Sequence, residues 1–197
     1  MRTLTLIAAL AGALAVSACN DRAKTEAPSP FELTDSAIGH YCGMVLVEHT
    51  GPKGQIILAS RKEPIWFSSA RDALSFTMLP EEPKDIRAIY VSDIGKAPSW
   101  EAPGATNWVE ARQATFVIGS RMKGGMGAAE AVPFSLKADA ERFASENGGR
   151  LAGFAEVPKD YVLGTGNEST SSISPEHGTA GQTHDHTHAA TPSTHSH

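Results

Sequence analysis

Ten residues beginning at Phe67 match ten beginning at Phe134 at five positions, at a constant offset of 67. The matched pairs are Phe67 and Phe134, Ser68 and Ser135, Asp72 and Asp139, Ala73 and Ala140, and Phe76 and Phe143. Both stretches read as helices. Ser69 to Met78 places Ala70, Ala73, Leu74 and Met78 at helical spacing. Leu136 to Glu146 does the same with Leu136, Ala140, Phe143 and Ala144, after Ser135 as a cap and before Asn147-Gly148-Gly149 as a stop. Gln55 to Ala59, Ile86 to Val91 and Ala114 to Ile118 are β-branched or aromatic runs that read as strands. The pattern predicts an α+β fold of two related strand-strand-helix-strand units, with a crevice between them where a ligand could sit.

That folding zone runs from about Asp35 to Val162, with repeat halves roughly 39–92 and 106–160. It comprises 128 residues, enough for a modest core. Residues 19–34, with Pro28, Pro30 and small polar residues, read as a flexible tether. Residues 163–197 collapse to Ser, Thr, Gly, Ala and His with Ile173 as the one large apolar side chain after Gly164, which is too little to fold. The whole chain carries 17 Lys+Arg against 22 Asp+Glu, and an acidic balance of this kind excludes nucleic acid as a partner.

The first eighteen residues read as a signal peptide. Arg2 supplies a positive start, and Leu4 to Val16 is uncharged and apolar. As a helix that run is about 20 Å long, short of the roughly 30 Å hydrocarbon core. It ends in Val16-Ser17-Ala18-Cys19, which looks like a bacterial lipobox with Val where Leu is usual. Lipidation of Cys19 would leave a domain anchored to a bacterial membrane (inner or outer undetermined) and facing the periplasm or cell surface. Cys42 is then the sole thiol in an oxidising compartment, a liability unless it is buried, catalytic or holding a metal.

His40-Tyr41-Cys42-Gly43-Met44 is the most informative local sequence. In an extended segment Cys42 and Met44 would share a face and converge on one ion. Thiolate plus thioether is a soft pair that selects Cu(I) over hard cations. A third donor is expected from Met122-Lys123-Gly124-Gly125-Met126-Gly127, where glycines on both sides free Met126 to project. Cys42, Met44 and Met126 are therefore the expected metal ligands, with His40, His49 and Met122 as supplementary candidates. The plainer alternative makes Met44 and Met126 core fillers, as Met78 is read to be. Glu48, Asp72, Glu130 and Asp139 are read as solvated charges or caps.

Tyr41-Cys42-Gly43-Met44, His49-Thr50-Gly51-Pro52-Lys53-Gly54-Gln55, Ala88-Ile89-Tyr90-Val91, and Gly124-Gly125-Met126-Gly127 with Glu130-Ala131-Val132-Pro133-Phe134 together resemble the NosL family, accessory lipoproteins of nitrous oxide reductase. The resemblance runs from about Gly39 to Tyr161. It implies a lipid-anchored periplasmic protein, not an enzyme, that binds Cu(I) and delivers it to the apo form of nitrous oxide reductase. The family's Cys-Gly-Met motif falls on Cys42 and Met44, and its glycine-flanked Met on Met126. One departure is Ile94, where many relatives carry Met.

The resemblance does not cover the tail, in which His177, His184, His186, His188, His195 and His197 lie within the last 21 residues. Imidazoles are mostly neutral and ligand-competent at neutral pH, so His184, His186, His188, His195 and His197 are auxiliary metal candidates. Two other functions compete with the metallochaperone: a thiol-dependent enzyme with Cys42 as nucleophile and His40 or His49 as base, and a general periplasmic copper buffer. An inert structural lipoprotein is a third alternative.

Overall fold

The computed structural model describes residues 27–164; the signal segment, Cys19 and the tail histidines from His177 to His197 lie outside them. Gly54–Leu58 (β1) is the centre of the first unit. It pairs antiparallel with Ile65–Phe67 (β2) on one side and Ile86–Ser92 (β3) on the other, and Trp108–Glu110 (β4) extends the sheet past β3. Between β2 and β3 the chain forms the helix Ala70–Met78 (α1). The second unit repeats that order. Thr115–Ile118 (β5) lies between Val132–Phe134 (β6) and Arg150–Gly153 (β7), and Lys137–Asn147 (α2) joins the outer two strands. In each unit the first strand is central and the helix returns the chain to its far side. A last short helix, Lys159–Leu163 (α3), packs on α1. Among the described residues no helix is long and apolar enough to cross a membrane.

Strand alternation decides how the units pack. Phe116 and Ile118 of β5 enter a core with Ile56, Phe67, Leu74, Phe76 and Ile89, while Val117 faces away into a smaller cluster with Val132, Phe134 and Ala140. The second sheet is thus buried on both faces, by the α1 core on one side and by α2 on the other. Each fully buried large apolar side chain contributes about 1.5–3 kcal/mol, so the shared core makes the two units one folding body. Among the pockets of the described residues, one has a volume of about 540 Å³ and another about 190 Å³. The larger is bordered by residues 31–40 and the turn after β1, and the smaller by Val47, His49, Lys53 and residues 101–105.

Local signals hold with two shifts. Ser69 caps α1, its Oγ accepting from the Asp72 amide at 3.3 Å. Ser135 does not cap α2, which begins one residue later after Leu136. The Ser135 Oγ has no hydrogen-bond partner among the described residues, and its amide donates to the Asp93 carboxylate at 3.0 Å. The tether also ends earlier than its composition suggests. Gln55, fully buried in β1, donates to the Phe31 carbonyl at 2.9 Å and accepts from the Phe31 amide at 2.8 Å. Tyr90 Oη donates to the Pro28 carbonyl at 2.8 Å. A buried carboxamide must have its polar atoms satisfied, and the strand needs its own amides for the sheet; residues 28–33 supply the partners.

Candidate metal centre

Cys42 sits in a tight turn and not in an extended strand. The Gly39 amide donates to the Met44 carbonyl at 2.9 Å, and the Gly43 amide donates to the Gly39 carbonyl at 2.8 Å. Gly43 takes φ +66, a conformation that L side chains rarely adopt. The turn folds the thiol back over Gly39, where a Cβ would stand 2.5 Å from Sγ. The expected shared strand face of Cys42 and Met44 is therefore replaced by a loop closed across Gly39 and Met44. Cys42 is half-buried, and it is the free cysteine of the described residues.

His40 and Tyr41 moor this turn to the first unit. The His40 amide donates to the Trp66 carbonyl at 2.7 Å, and its ring lies 5.8 Å from Phe67 and 5.7 Å from Phe76. Tyr41 Oη donates to Glu82 Oε1 at 2.9 Å, and His40 Nε2 lies 3.4 Å from the same oxygen. Burial and this carboxylate push the Tyr41 phenol well above its ordinary range. After the turn, Met44 is 45% exposed, and the short 3-10 turn Leu46–Glu48 is pinned by fully buried Leu46.

The second segment is a small hairpin. Lys123 and Ala129 form a β-bridge, the Gly124 amide donates to the Ala128 carbonyl at 2.9 Å, and the Gly127 amide donates to the Gly124 carbonyl at 2.8 Å. Gly125 and Met126 form its tip, and Met126 is 55% exposed. Met122, just before the bridge, is half-buried. The tip rests on the first unit: a Cβ on Gly125 would meet His49 Cβ at 2.5 Å and the Thr50 carbonyl oxygen at 2.9 Å. His49 is 7% exposed, and its Nε2 has no hydrogen-bond partner among the described residues.

Two buried charges that sequence reasoning missed support this seam. Lys53, 1% exposed, donates from Nζ to the carbonyls of His49 at 2.7 Å, Thr50 at 3.1 Å and Gly51 at 2.6 Å. Burial lowers its pKa to about 8, against the pull of the Glu130 charge, so the ammonium persists at neutral pH and folds the turn around itself. Glu130, read from sequence as a solvated charge, is 1% exposed. Its Oε1 accepts from the amides of Arg71 and Ala131, both at 2.9 Å, and from Ser69 Oγ at 3.2 Å. Its Oε2 has no partner among the described residues and faces Gly124, where a Cβ would stand 2.6 Å away. Burial pushes the Glu130 carboxyl up to about 7 in spite of those donors. Lys53 thus shapes the His49 side of the seam and Glu130 the hairpin side. The faint sequence signals were a Lys between Pro52 and Gly54, and a Glu opening the apolar run Ala131 to Phe134.

The structure brings the residue before Met126 against His49, and it shows no direct contact of Met126 with Cys42 or Met44 among the described residues. Met44 lies five residues before His49, and Gly125, which packs on His49, immediately precedes Met126. His49 is at the seam, whereas His40 commits Nε2 to Glu82. Ile94, at the position of the family departure, packs with the smaller cluster around Val132. Among the described residues no three His, Cys, Asp or Glu side chains group to hold a metal, so a metal ion at this seam would need the thioethers of methionine.

A family model described as NosL matches residues 30–162. The chain is 42% identical over 165 residues to the copper-binding lipoprotein NosL of Achromobacter cycloclastes, covering 83% of this chain and 85% of that one. It is 32% identical over 154 residues to the copper-binding lipoprotein NosL of Stutzerimonas stutzeri, covering 78% of each. Its fold is similar to the crystal structure of the copper chaperone NosL from Shewanella denitrificans, with a TM-score of 0.63 and 34% identity over 67% of this chain and 98% of that chain.

Proposed function

The chain belongs to the NosL family, and we propose that it is a lipid-anchored periplasmic metallochaperone that carries Cu(I) to apo nitrous oxide reductase. Cys42, Met44 and Met126 hold the ion in this reading, with His49 as the supplementary imidazole and Cys19 as the lipidated residue. The His-rich tail, with His184, His186, His188, His195 and His197, gathers additional metal. The observation that supports the proposal is the contact of Gly125 on His49, which sets the residue before Met126 against a residue five positions after Met44.

The donor set suits a cargo that is held and released. Cu(I) is matched to thiolate and thioether sulfur, and the thiolate supplies the one negative charge that balances the ion. Met44 and Met126 are neutral and about half exposed, so an acceptor's ligand can replace either without a proton having to move. Cys42, half-buried and moored through His40 and Tyr41, would let go last. The enzyme alternative has less support: His40 gives Nε2 to Glu82, and His49 Nε2 has no partner, so neither is arranged as a base for the thiol.

Anaerobic Cu(I) titration of the mature chain tests the assignment, with Cys42→Ala, Met44→Ala and Met126→Ala in parallel. One tight equivalent should be lost with Cys42→Ala and weakened at least tenfold by each methionine change. Transfer of that equivalent to apo nitrous oxide reductase separates delivery from buffering. A wild-type chain that kept its copper in the presence of the apo enzyme would leave the buffer reading.

A further inference from the structure

We propose that Arg71 is a positioning residue for Met126: it fixes the base of the Met126 hairpin against α1 and acts on copper only through that methionine. The proposal rests on the copper reading above, in which Met126 is a ligand, and adds what holds that ligand in place.

The connection from Ile118 at the end of β5 to Val132 at the start of β6 contains the hairpin. An isolated two-stranded hairpin is marginal in water, so its direction depends on what the rest of the fold does to its tip and its base. At the tip, Gly125 rests on His49. At the base, Arg71 reaches over from the first turn of α1. Its Nη1 donates to the Ala129 carbonyl at 2.9 Å, and its backbone amide donates to Glu130 Oε1 at 2.9 Å. Ala129 is the residue that closes the hairpin on Lys123, and the span from it to Met126 is at most about 11 Å. A contact at the tip alone is a pivot. Held at the base as well, the hairpin has an orientation.

The chemistry of the side chain suits this task. Arg71 Nε donates to the Val162 carbonyl at 3.0 Å, so one planar group joins α1, α3 and the hairpin base. A guanidinium presents its donors in a fixed fork and can hold two carbonyls at set angles, which the point-like ammonium of lysine does not do. Among the described residues Arg71 enters no salt bridge, and its side chain is spent on main-chain oxygens. The α3 end of the clamp is itself anchored: Tyr161 Oη donates to the Glu130 carbonyl at 2.7 Å and accepts from the Gly119 amide at 3.0 Å. Both ends of the connection that carries Met126 are thereby tied to α3, and the closing end to α1 as well.

An arginine that merely stabilised the fold would lower stability whatever stood at position 126. One that positions Met126 lowers copper affinity only while the methionine is there to be positioned.

The test is a double-mutant cycle on the mature chain: wild type, Arg71→Met, Met126→Ala and the double variant. Each is titrated anaerobically with Cu(I) against a chromophoric Cu(I) chelator and unfolded in urea in parallel. Arg71→Met should weaken the tight site about tenfold when Met126 is present and less than about twofold when it is absent, with similar losses of urea midpoint in both backgrounds. Arg71→Lys keeps the charge but not the fork; it should show a smaller loss with the same dependence on Met126, and it carries the cycle if Arg71→Met does not fold. Where Met126→Ala alone weakens the site, an equal loss on changing Arg71 in both backgrounds, or none in either, overturns the positioning role and leaves Met126 as a ligand. Wild-type affinity in Met126→Ala overturns that ligand assignment, and the positioning role with it.

Discussion

Gly125 packs against His49 so closely that a Cβ there would lie 2.5 Å from His49 Cβ and 2.9 Å from the Thr50 carbonyl oxygen. Backbone and a buried ring back that contact, and Lys53 holds the His49 and Thr50 carbonyls from beneath. The Met126 tip is therefore positioned by an absence of side chain, and its register against the first unit depends on it.

Gly125→Ala should displace the tip without unfolding the domain. The cost is that of an overpacked contact at the surface of the fold, about 1–3 kcal/mol. Cu(I) affinity should fall at least tenfold. Parallel urea unfolding and copper titration check this; an alanine variant with wild-type affinity would show that the contact does not position a ligand.

Met126→Ala should separate binding from stability. Because the side chain is 55% exposed, truncation should change unfolding free energy by less than about 0.5 kcal/mol. If Met126 were a core filler, the loss would be about 2–5 kcal/mol. Thermal or urea melts of the copper-free chain distinguish the two readings.

The duplication was legible because each helix writes its own periodicity, and Phe67 and Phe134 mark equivalent entries to α1 and α2. The sulfur residues were legible as soft donors. Their geometry was not, since a Cys-Gly-Met spacing suits an extended strand as well as a turn, and only the bond from the Gly39 amide to the Met44 carbonyl decides. Lys53 and Glu130 were invisible for a different reason. Charged residues are read as solvated by default, and their burial depends on carbonyls and amides that the fold gathers from several segments. Ser135 shows the same limit in miniature: its position suggests a cap, yet its Oγ makes no hydrogen bond among the described residues and α2 starts after Leu136.

Lys53→Met should be strongly destabilising. Methionine fills much of the stem's volume but leaves the His49 and Gly51 carbonyls, now at 2.7 Å and 2.6 Å from Nζ, without that donor. Buried unsatisfied acceptors cost about 1–3 kcal/mol each, so a loss of about 3 kcal/mol or more is expected on urea denaturation. Lys53→Arg should not restore it, because the planar fork needs more room than this closed turn gives. Wild-type stability in Lys53→Met would mean that the turn is held by its neighbours alone.

Glu130 gives the pH dependence a definite sign. Its carboxyl is raised from an ordinary 4.5 to about 7, with burial as the largest cause. Between those values the native chain keeps a proton that the unfolded chain has released, so stability falls as pH rises through the window and is fully present below it. The change from pH 4.5 to pH 8 is of order 3 kcal/mol for this one group. Glu130→Gln keeps an acceptor for the Ser69, Arg71 and Ala131 donors and cannot ionise. Its urea midpoints should accordingly lose this downward slope between pH 5 and pH 8, while the remaining groups titrate as before. If the slopes of the two chains coincide, Glu130 is ionised alike in the native and unfolded states, and the proton assigned to the base of the Met126 hairpin is not there.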